Sequence, residues 1–369
     1  MRSRIAVFVA IIQIVLFLGH WFLYETLTAF FPTPGGRPRV WLEVALALLS
    51  ISFVVASLLA WRSFNVVVRV FYSIAAVWMG ILNFCFLAAC SCWALWGAAR
   101  LAGVNPDLRL LATIVFGIAL ALSLYGIINA AWTRVTRITV KLPNLPASWR
   151  GRIGALVSDT HLGHVRGNRF LRRIVAMLNR LQPDIVLIAG DLYDGTVADL
   201  NKLAAPLANL SAPLGAYFVA GNHEEFSEHT KYLSAVNRAG VRILNNEKVI
   251  VDGLQIVGIH YRDSVNDDHF RNTIRQAALN RTQASILLTH APDRVKISEE
   301  EGFSLQLSGH THGGQLFPFS WITSRIYGKF VYGLQRLGNL MVYTSYGAGT
   351  WGPPLRVGTW PEIVLIQFE

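Results

Sequence analysis

The sequence predicts an N-terminal transmembrane segment of four helices, followed by a layered α/β/β/α domain in which two sheets pack together. Three observations predict this fold class. The first 150 residues are strongly apolar and basic, later residues form short apolar runs, and several of those runs end in polar clusters. The chain has 369 residues, of which 53% are hydrophobic and 15% are charged. An ordinary soluble domain has a charged fraction of ~25%.

The net charge of +11 is distributed unevenly along the chain. Residues 1–150 contain 12 Lys and Arg against 3 Asp and Glu, which leaves 21 and 19 for residues 151–369. The excess of positive charge is therefore +9 in the first part and +2 in the second. Because basic flanks are typical of apolar membrane spans, this charge gives no reason to expect nucleic-acid binding.

Four stretches are long and apolar enough to cross a bilayer, which takes about 20 helical residues each. They cover 5–24, 40–61, 66–96 and 110–132, and we assign residues 1–137 to this transmembrane domain. A signal peptide is the alternative for the first stretch, which however lacks a small-residue cleavage site. Lys and Arg are frequent at the N-terminus, around Arg62 and Arg69, and after the fourth stretch. This bias predicts that both termini and the second domain lie in the cytoplasm.

The second domain is predicted over 151–369, after a linker over 138–150 that contains two prolines. Its apolar runs are about 4–6 residues long, as in buried strands with loops at their carboxyl ends. A helix is expected over Asn168–Leu181, between the first two strands. The predicted strands are 153–157, 184–189, 216–220, 254–259, 285–289, 305–307 and 340–344.

Five of these strands are followed directly by polar clusters that contain His, Asp or Asn. They are Asp159-Thr160-His161, Gly190-Asp191, Gly221-Asn222-His223-Glu224, Thr289-His290 and Gly309-His310-Thr311-His312-Gly313-Gly314. The second domain has no cysteine, so a metal there has to be held by His, Asp, Glu or Asn. Carboxylates together with imidazoles suit Mn²⁺, Fe or Zn²⁺, and a carboxylate can bridge two ions ~3.5–4 Å apart.

In this order, the five clusters resemble the signature of the calcineurin-like metallophosphoesterase superfamily. The resemblance covers about the last 210 residues. The segment from His310 to Gln315 and the ending Pro361-Glu362-Ile363 are similar to a bacterial branch with a hydrophobic N-terminus. The resemblance thus implies a membrane-anchored phosphoesterase in a bacterial cytoplasmic membrane.

The resemblance also implies roles for single residues. One divalent ion would be held by Asp159, His161, Asp191 and His312, and the second by Asp191, Asn222, His290 and His310. Asp191 would bridge the two ions, and a hydroxide that they share would attack phosphorus. His223 would stabilise a phosphoryl oxygen or protonate the leaving group, and Glu224 would orient that imidazole or lie on the surface.

Further candidates for substrate binding are His164, His260 and Arg166, each with a surface or structural alternative. Arg166 belongs to a basic group with Arg169, Arg172 and Arg173, which would hold a phosphate or the anionic membrane surface, or face solvent. The aromatic and basic segment 317–336 either docks on a bilayer or guides an acyl chain, or it fills the domain core.

The predicted function is therefore hydrolysis of a phosphodiester or pyrophosphate, with a lipid or lipid precursor as substrate. The nucleotide-linked diacylglucosamine of lipid A synthesis is one option that the resemblance implies. The alternatives are a soluble nucleotide-type substrate, a non-catalytic membrane scaffold and, for the four spans, a transporter. Because the spans contain almost no charge and no inverted repeat, anchoring is the simpler prediction.

Overall fold

A computed structural model describes residues 2–32, 36–225 and 229–369. The chain forms two compact units. The first comprises Met1–Ile128 together with Gly352–Leu355, and the second comprises Asn129–Trp351 together with Arg356–Glu369. Each unit has its own core.

The first unit is helical, and its helices confirm the four predicted apolar segments. All four are long and apolar enough to cross a membrane. They are α1 (Arg2–Phe30), α2 (Arg37–Ala60), α3 (Val66–Leu101) and α4 (Leu108–Ala131). Most of them extend past the predicted spans because polar residues continue the helix beyond the apolar stretch. At the start of α3 the side chain of Asn65 accepts a hydrogen bond from the Val68 amide, so this helix begins at a defined cap.

The second unit contains two sheets of six strands each. In spatial order, the first sheet consists of β1 (Arg134–Val140), β12 (Glu362–Phe368), β2 (Ile153–Val157), β3 (Ile185–Ala189), β4 (Ala216–Val219) and β5 (Arg242–Ile243). The second consists of β10 (Gly333–Leu337), β11 (Leu340–Thr344), β9 (Leu305–Ser308), β8 (Ser285–Leu288), β7 (Leu254–Gly258) and β6 (Glu247–Val251).

Seven helices accompany these sheets. They are α5 (Asn168–Leu181), α6 (Leu200–Ala204), α7 (His229–Arg238), α8 (Tyr261–Ser264), α9 (Asp267–Gln276), α10 (Val295–Glu300) and α11 (Phe319–Tyr327). The helix α5 shows why they pack on the sheets. Its buried residues Leu171, Ile174, Val175 and Leu178 follow the i, i+3, i+4, i+7 spacing of one helix face.

Three apolar cores separate the four layers. Trp149, Leu156, Ile256 and Ile286 belong to the core between the two sheets. The outer cores lie under α5 to α7 on the first sheet, and under α9 and α10 on the second. The predicted α/β/β/α layering with two packed sheets is therefore confirmed.

Strands β2 to β5 run parallel to one another, and so do β7, β8, β9 and β11. The carboxyl ends of parallel strands meet at one edge of a sheet, which is where ligand sites form in α/β folds. The fold therefore brings the five polar clusters of the sequence to strand ends.

The linker predicted over 138–150 is not a free connector in the structure. Residues Arg134–Val140 form β1, which pairs in parallel with β12 at the edge of the first sheet. Trp149 is fully buried, and its indole donates a hydrogen bond to the Val251 carbonyl. The α/β unit therefore begins before residue 151. Because basic and hydroxyl side chains interrupt the apolar residues of β1, it has no continuous apolar run that would identify it as a strand.

Candidate metal centre

The five polar clusters begin within three residues of the ends of β2, β3, β4, β8 and β9. In five of their donor residues the backbone adopts the left-handed conformation, with positive φ. These residues are Asp159 (53°), His161 (48°), Asp191 (51°), His310 (71°) and His312 (48°). Such conformations cost about 1–3 kcal/mol each in residues other than glycine, and they concentrate at functional sites.

A first group of donors consists of Asp159, His161, Asp191 and His312, all of them buried. The Nε2 atoms of His161 and His312 lie 3.0 Å apart. The His312 Nε2 atom is 3.5 Å from Asp159 Oδ1, and the His161 Nε2 atom is 3.8 Å from Asp191 Oδ2. Two imidazoles and two carboxylates therefore converge on one small volume.

A second group consists of Asp191, Asn222, His290 and His310. The Nε2 atom of His290 lies 3.2 Å from Asp191 Oδ2, 3.0 Å from Asn222 Oδ1 and 3.0 Å from His310 Nδ1. The same oxygen of Asp191 thus faces imidazoles of both groups. A carboxylate in that position is suited to bridge two cations.

Backbone contacts hold these donors in place. The carboxylate of Asp159 accepts the His310 amide at 3.0 and 3.2 Å, and Asp191 Oδ1 accepts the His223 amide at 2.9 Å. The Nδ1 atom of His290 donates to the Ala189 carbonyl at 2.8 Å. Such a bond from the second ring nitrogen leaves Nε2 free as a metal ligand.

Two glycines permit the close approach of these segments. A Cβ atom at Gly221 would lie 2.2 Å from Asp191 Oδ1, and one at Gly309 would lie 2.2 Å from Asp159 Oδ2. No side chain fits at such distances. The glycines of the two motifs are therefore needed to bring the donors together.

The charge states of the donors suit a bound cation. Burial lowers the pKa of His161 and of His312 well below the usual value, and lowers the pKa of His310 to about 4. Their rings are therefore neutral at pH 7 and carry lone pairs. Although burial acts in the opposite direction, His290 and other neighbouring imidazoles hold the pKa of Asp191 well below its usual range. The neutral imidazoles of His161, His310 and His312 around an ionised carboxylate are donors that divalent transition metals prefer, whereas His290 has to lose a proton before it can bind one.

Comparisons with known proteins agree with this donor set. A family model described as calcineurin-like phosphoesterase matches residues 155–314. A metallophosphoesterase of Aquifex aeolicus is 32% identical over 257 residues, which cover 68% of this chain and 98% of that protein. The chain belongs to the calcineurin-like phosphoesterase family. Its second unit, which contains the matched residues, is called the phosphoesterase domain.

Two further relatives extend this comparison. A metallophosphoesterase of Campylobacter jejuni is 32% identical over 271 residues, covering 72% of this chain and 71% of that protein. A transmembrane protein with metallophosphoesterase domain from Danio rerio is 34% identical over 275 residues, which cover 68% of this chain and 61% of the fish protein. Relatives thus occur in bacteria and in a vertebrate, so assignment to a bacterial branch stays a prediction.

In the phosphoesterase domain, His223 lies beside the donors. Its Nδ1 atom donates to the Asp194 carbonyl at 2.9 Å, and its Nε2 atom lies 3.9 Å from Asp191 Oδ2. The ring packs edge to face on that of His161, with centroids 4.7 Å apart. The carbonyl therefore fixes the ring so that Nε2 faces the centre.

Glu224 is fully buried, so the surface placement considered from the sequence is wrong. Its carboxylate accepts three backbone N–H groups, from Asp191 (2.9 Å), Gly221 (2.8 Å) and Tyr193 (3.1 Å). Burial, together with the nearby Asp191, raises the pKa of Glu224 to about 7. The residue joins the loops after β3 and β4, and so it positions Asp191 and Asn222 through the backbone.

Arg356 is a residue of this site that the sequence analysis missed. Its fully buried guanidinium donates to the carbonyls of Tyr346 (2.6 Å) and Gly349 (2.7 Å), and one of its nitrogens lies 2.9 Å from Nδ1 of His312. Burial lowers the pKa of Arg356 to about 10, so it remains charged at pH 7. Arg356 thus fixes the ring of His312. Nothing in the local sequence of this loop indicates that role.

The side chain of Gln315 holds the backbone of Trp351 beside His223. The Nε2 atom of Gln315 donates to the Trp351 carbonyl, and Oε1 accepts the Trp351 amide, both at 3.0 Å. The indole is 61% exposed, and its centroid lies 6.3 Å from that of the His223 ring. The sequence analysis did not identify Trp351, since no motif includes it.

Other aromatic rings lie beside the second group of donors. The ring of Tyr261 is 5.7 Å from that of His290 and 6.1 Å from that of His310. The Tyr327 ring, at the end of α11, is 6.2 Å from that of His310. We use the name aromatic rim for Tyr261, Tyr327 and Trp351, none of which is fully buried.

The three weaker sequence candidates have structural partners. His164 is buried, with Nδ1 2.9 Å from Thr196 Oγ1, so the surface alternative is wrong. Arg166 donates to the Ala130 carbonyl at 2.7 Å, and its guanidinium lies over the ring of Phe170. Burial lowers the pKa of Arg166 to about 9.

His260 belongs to a separate cluster with Glu225 and His229. The Arg262 amide donates to Nδ1 of His260, so the proton of the neutral ring is on Nε2, which lies 2.9 Å from Glu225 Oε1. The His229 ring donates from Nδ1 to the Glu224 carbonyl at 3.0 Å. These contacts satisfy the polar groups of the two histidines without a metal ion, so we assign this cluster a structural role.

Proposed function

We propose that the chain is a membrane-anchored phosphohydrolase with two divalent metal ions, cleaving a phosphodiester or pyrophosphate of a lipid or lipid precursor. The observation that carries this proposal is the pair of donor groups that share Asp191. A single structural metal would need only one of the two groups.

The donor chemistry fits two ions. The first group, Asp159, His161, Asp191 and His312, would hold one ion. Asp191, Asn222, His290 and His310 would hold the other. Manganese, iron and zinc all suit such oxygen and imidazole donors. When bound, the ions would supply a water activated at neutral pH and would stabilise negative charge on the phosphoryl group.

His223 is the proposed proton donor to the leaving group. Because Nδ1 donates to the Asp194 carbonyl, Nε2 is the atom that faces the centre. An imidazolium at this position would donate from Nε2 to a phosphoryl oxygen or to the departing oxygen. Glu224 supports this step indirectly, since it holds the loop that carries both Asn222 and His223.

Two observations favour a lipid-linked substrate over a soluble nucleotide. The chain contains four helices that are long and apolar enough to cross a membrane, which would keep the domain near lipids. The site is also bordered by aromatic rings, which bind apolar groups more readily than they bind a solvated phosphate. A soluble nucleotide remains the second candidate, because the same rings would stack on a base.

The proposed location of the phosphoesterase domain is the cytoplasmic side of a bacterial inner membrane. The supporting observation is the run of basic residues after α4, namely Arg134, Arg137 and Lys141, followed by Arg150 and Arg152 without an intervening acid. Labelling of an Asp268→Cys variant in intact cells with a membrane-impermeant maleimide tests this orientation. Labelling before cell lysis would contradict it.

The experiment that tests the function starts from the purified full-length protein. Metal analysis should find about two divalent ions per chain. Total lipid and metabolite extracts are then incubated with the Mn²⁺-loaded wild type or Asp191→Asn protein and compared by mass spectrometry. A lipid consumed only by the wild type supports the proposal, whereas a consumed soluble nucleotide supports the second candidate. A chain that binds no metal and consumes nothing would be a scaffold.

A further inference from the structure

The helix α11 is the most apolar exposed element of the phosphoesterase domain. None of its residues is buried. Together with Phe317 just before it, it exposes five large apolar side chains: Phe317 (53% exposed), Phe319 (51%), Trp321 (57%), Ile322 (43%) and Ile326 (70%). The alternative that the segment 317–336 fills the domain core is therefore wrong for 317–326, whereas Phe330 packs against the outer core of the second sheet.

Exposed apolar side chains are concentrated in this segment. Among the described residues from 129 onward, eleven large apolar side chains are exposed, and five of them lie between 317 and 326. Phe319, Ile322 and Ile326 follow the i, i+3, i+7 spacing that places side chains on one face of a helix. Contiguous apolar surfaces of this kind mark contacts with membranes or proteins.

The charged residues within this segment have one sign. Residues 315–338 contain Arg325, Lys329 and Arg336 but no Asp or Glu. The guanidinium of Arg325 lies 4.9 Å from the centroid of the Trp321 ring, and Lys329 is exposed. A helix with exposed Trp and Phe, in a segment whose own charges are all basic, is typical of an anionic membrane surface.

We propose that Phe317, Phe319, Trp321, Ile322 and Ile326 form a docking surface that inserts into the headgroup region of an anionic bilayer. The order of elements in the chain is the reason for choosing a bilayer as the occupant of this surface. The membrane-spanning candidate α4 ends at Ala131 and β1 begins at Arg134, so only Trp132 and Thr133 separate them in the chain. The basic residues complement the negative charge of phosphatidylglycerol or similar lipids.

Insertion would bring the metal centre close to the lipid headgroups. At one end of α11, the ring of Tyr327 contacts that of His310. At the other end, a Cβ atom on Gly314 would lie 2.4 Å from the backbone of Phe319, so the helix begins directly against the segment that carries His312. Amphipathic helices insert by about 5–10 Å, which places their flanking loops among the headgroups. The inference concerns the surface alone and does not depend on hydrolysis.

The test measures the depth of a spin label in the full-length protein. The three native cysteines, Cys85, Cys90 and Cys92, are replaced by alanine, and a nitroxide is attached at Ile326→Cys. The matched control carries the label at Ile250→Cys in β6, where the native side chain is 63% exposed. Both proteins are placed in nanodiscs of phosphatidylethanolamine and phosphatidylglycerol. Collisions with oxygen report on lipid, and collisions with a nickel chelate report on water.

The ratio of oxygen to nickel collisions should be at least about fivefold higher at residue 326 than at residue 250. Equal ratios at the two positions would overturn the proposal. Low collision rates with both reagents at residue 326 would show that protein covers the surface, and would also overturn it in favour of a second copy or a partner protein. Metal content, measured on the same samples, verifies that each labelled domain is folded.

A second measurement tests the charge of the lipid. Replacing phosphatidylglycerol with phosphatidylcholine should lower the ratio at residue 326 by about twofold or more, and Arg325→Gln combined with Lys329→Gln should do the same. The ratio at residue 250 should not change in either case. An unchanged ratio at residue 326 in both cases would contradict an anionic bilayer as the occupant.

Discussion

The donor groups and the aromatic rim lie next to each other but differ in burial and in the elements that carry them. Asp159, His161, Asp191 and His290 are at most 3% exposed, and they contact residues far away in the sequence. Trp351 is 61% exposed, and two hydrogen bonds from one side chain hold its backbone. The donors lie directly after the strands of two sheets, whereas the rim residues lie on short helices and loops.

Because of this difference, we expect the donors and the rim to control different properties of the site. A change among the donors leaves a buried charge or ring without its partner, which is costly in a water-poor environment. A substitution in the rim removes a partly exposed side chain, and water can occupy the space that it leaves. We therefore expect metal binding and phosphorus chemistry to depend on the donors, and the choice of leaving group to depend on the rim.

The largest effect is expected from Asp191→Asn. This change removes the one carboxylate oxygen that faces both donor groups. Substituting a residue that only supports a metal ligand lowers metal affinity by about 10–100-fold, so the loss of this ligand should lower it by more than about 100-fold. Metal content and Mn²⁺-dependent hydrolysis of bis(p-nitrophenyl) phosphate should decrease together. The control is Asp268→Asn, because Asp268 is an exposed carboxylate of α9. Full activity of Asp191→Asn would refute the bridging role.

The next largest effect is expected from His223→Ala. Loss of a general acid lowers the rate by about 10²–10⁴-fold, while both donor groups remain intact and metal content should not change. The loss should be smaller for a p-nitrophenyl ester than for an alkyl ester, because p-nitrophenolate departs without a proton. An equal loss for both esters would assign His223 to stabilisation of the phosphoryl oxygen instead.

Metal binding should also depend on pH. Burial alone would lower the pKa of His290, but Asp191 and Asp159 raise it to about 10, so without metal this ring holds a second proton at pH 7. A cation at Nε2 has to displace that proton. Metal affinity should therefore rise with pH, by about tenfold per unit for each proton displaced. Calorimetry in buffers of different ionisation enthalpy counts the protons released. A release of none between pH 6 and 8 would contradict this account.

The sequence predicts the donors well because each of them is recognised from the few residues around it. A short apolar strand followed by Asp, His or Gly-Asn-His is visible in a few residues, and parallel strands bring such ends to one edge. Arg356 could not be predicted in this way. It reaches His312 across 44 residues from a loop without periodicity, and only the folded backbone places its guanidinium there.

The edge strands and α11 show a second limit of sequence prediction. The strand β1 exposes Arg134, Arg137 and Thr139 and has no continuous apolar run, so its sequence resembles a polar linker. The segment 317–336 is rich in aromatic residues, and this composition is compatible with a position in the core as well as on the surface. Composition alone did not separate these alternatives, because the exposure of α11 depends on whether other elements cover it.

The smallest effects are expected from substitutions in the aromatic rim. They test most directly whether the rim and the donors act independently. Trp351→Ala removes an aromatic surface worth about 1 kcal/mol, so KM for a substrate with an aromatic or acyl leaving group should rise roughly fivefold. Gln315→Leu should produce a similar rise in KM, because it removes both hydrogen bonds to the Trp351 backbone. Metal content and kcat should stay close to those of the wild type in both variants. Loss of metal in Gln315→Leu would show that the rim and the donors form one cooperative unit, since Gln315 follows His312 by only three residues.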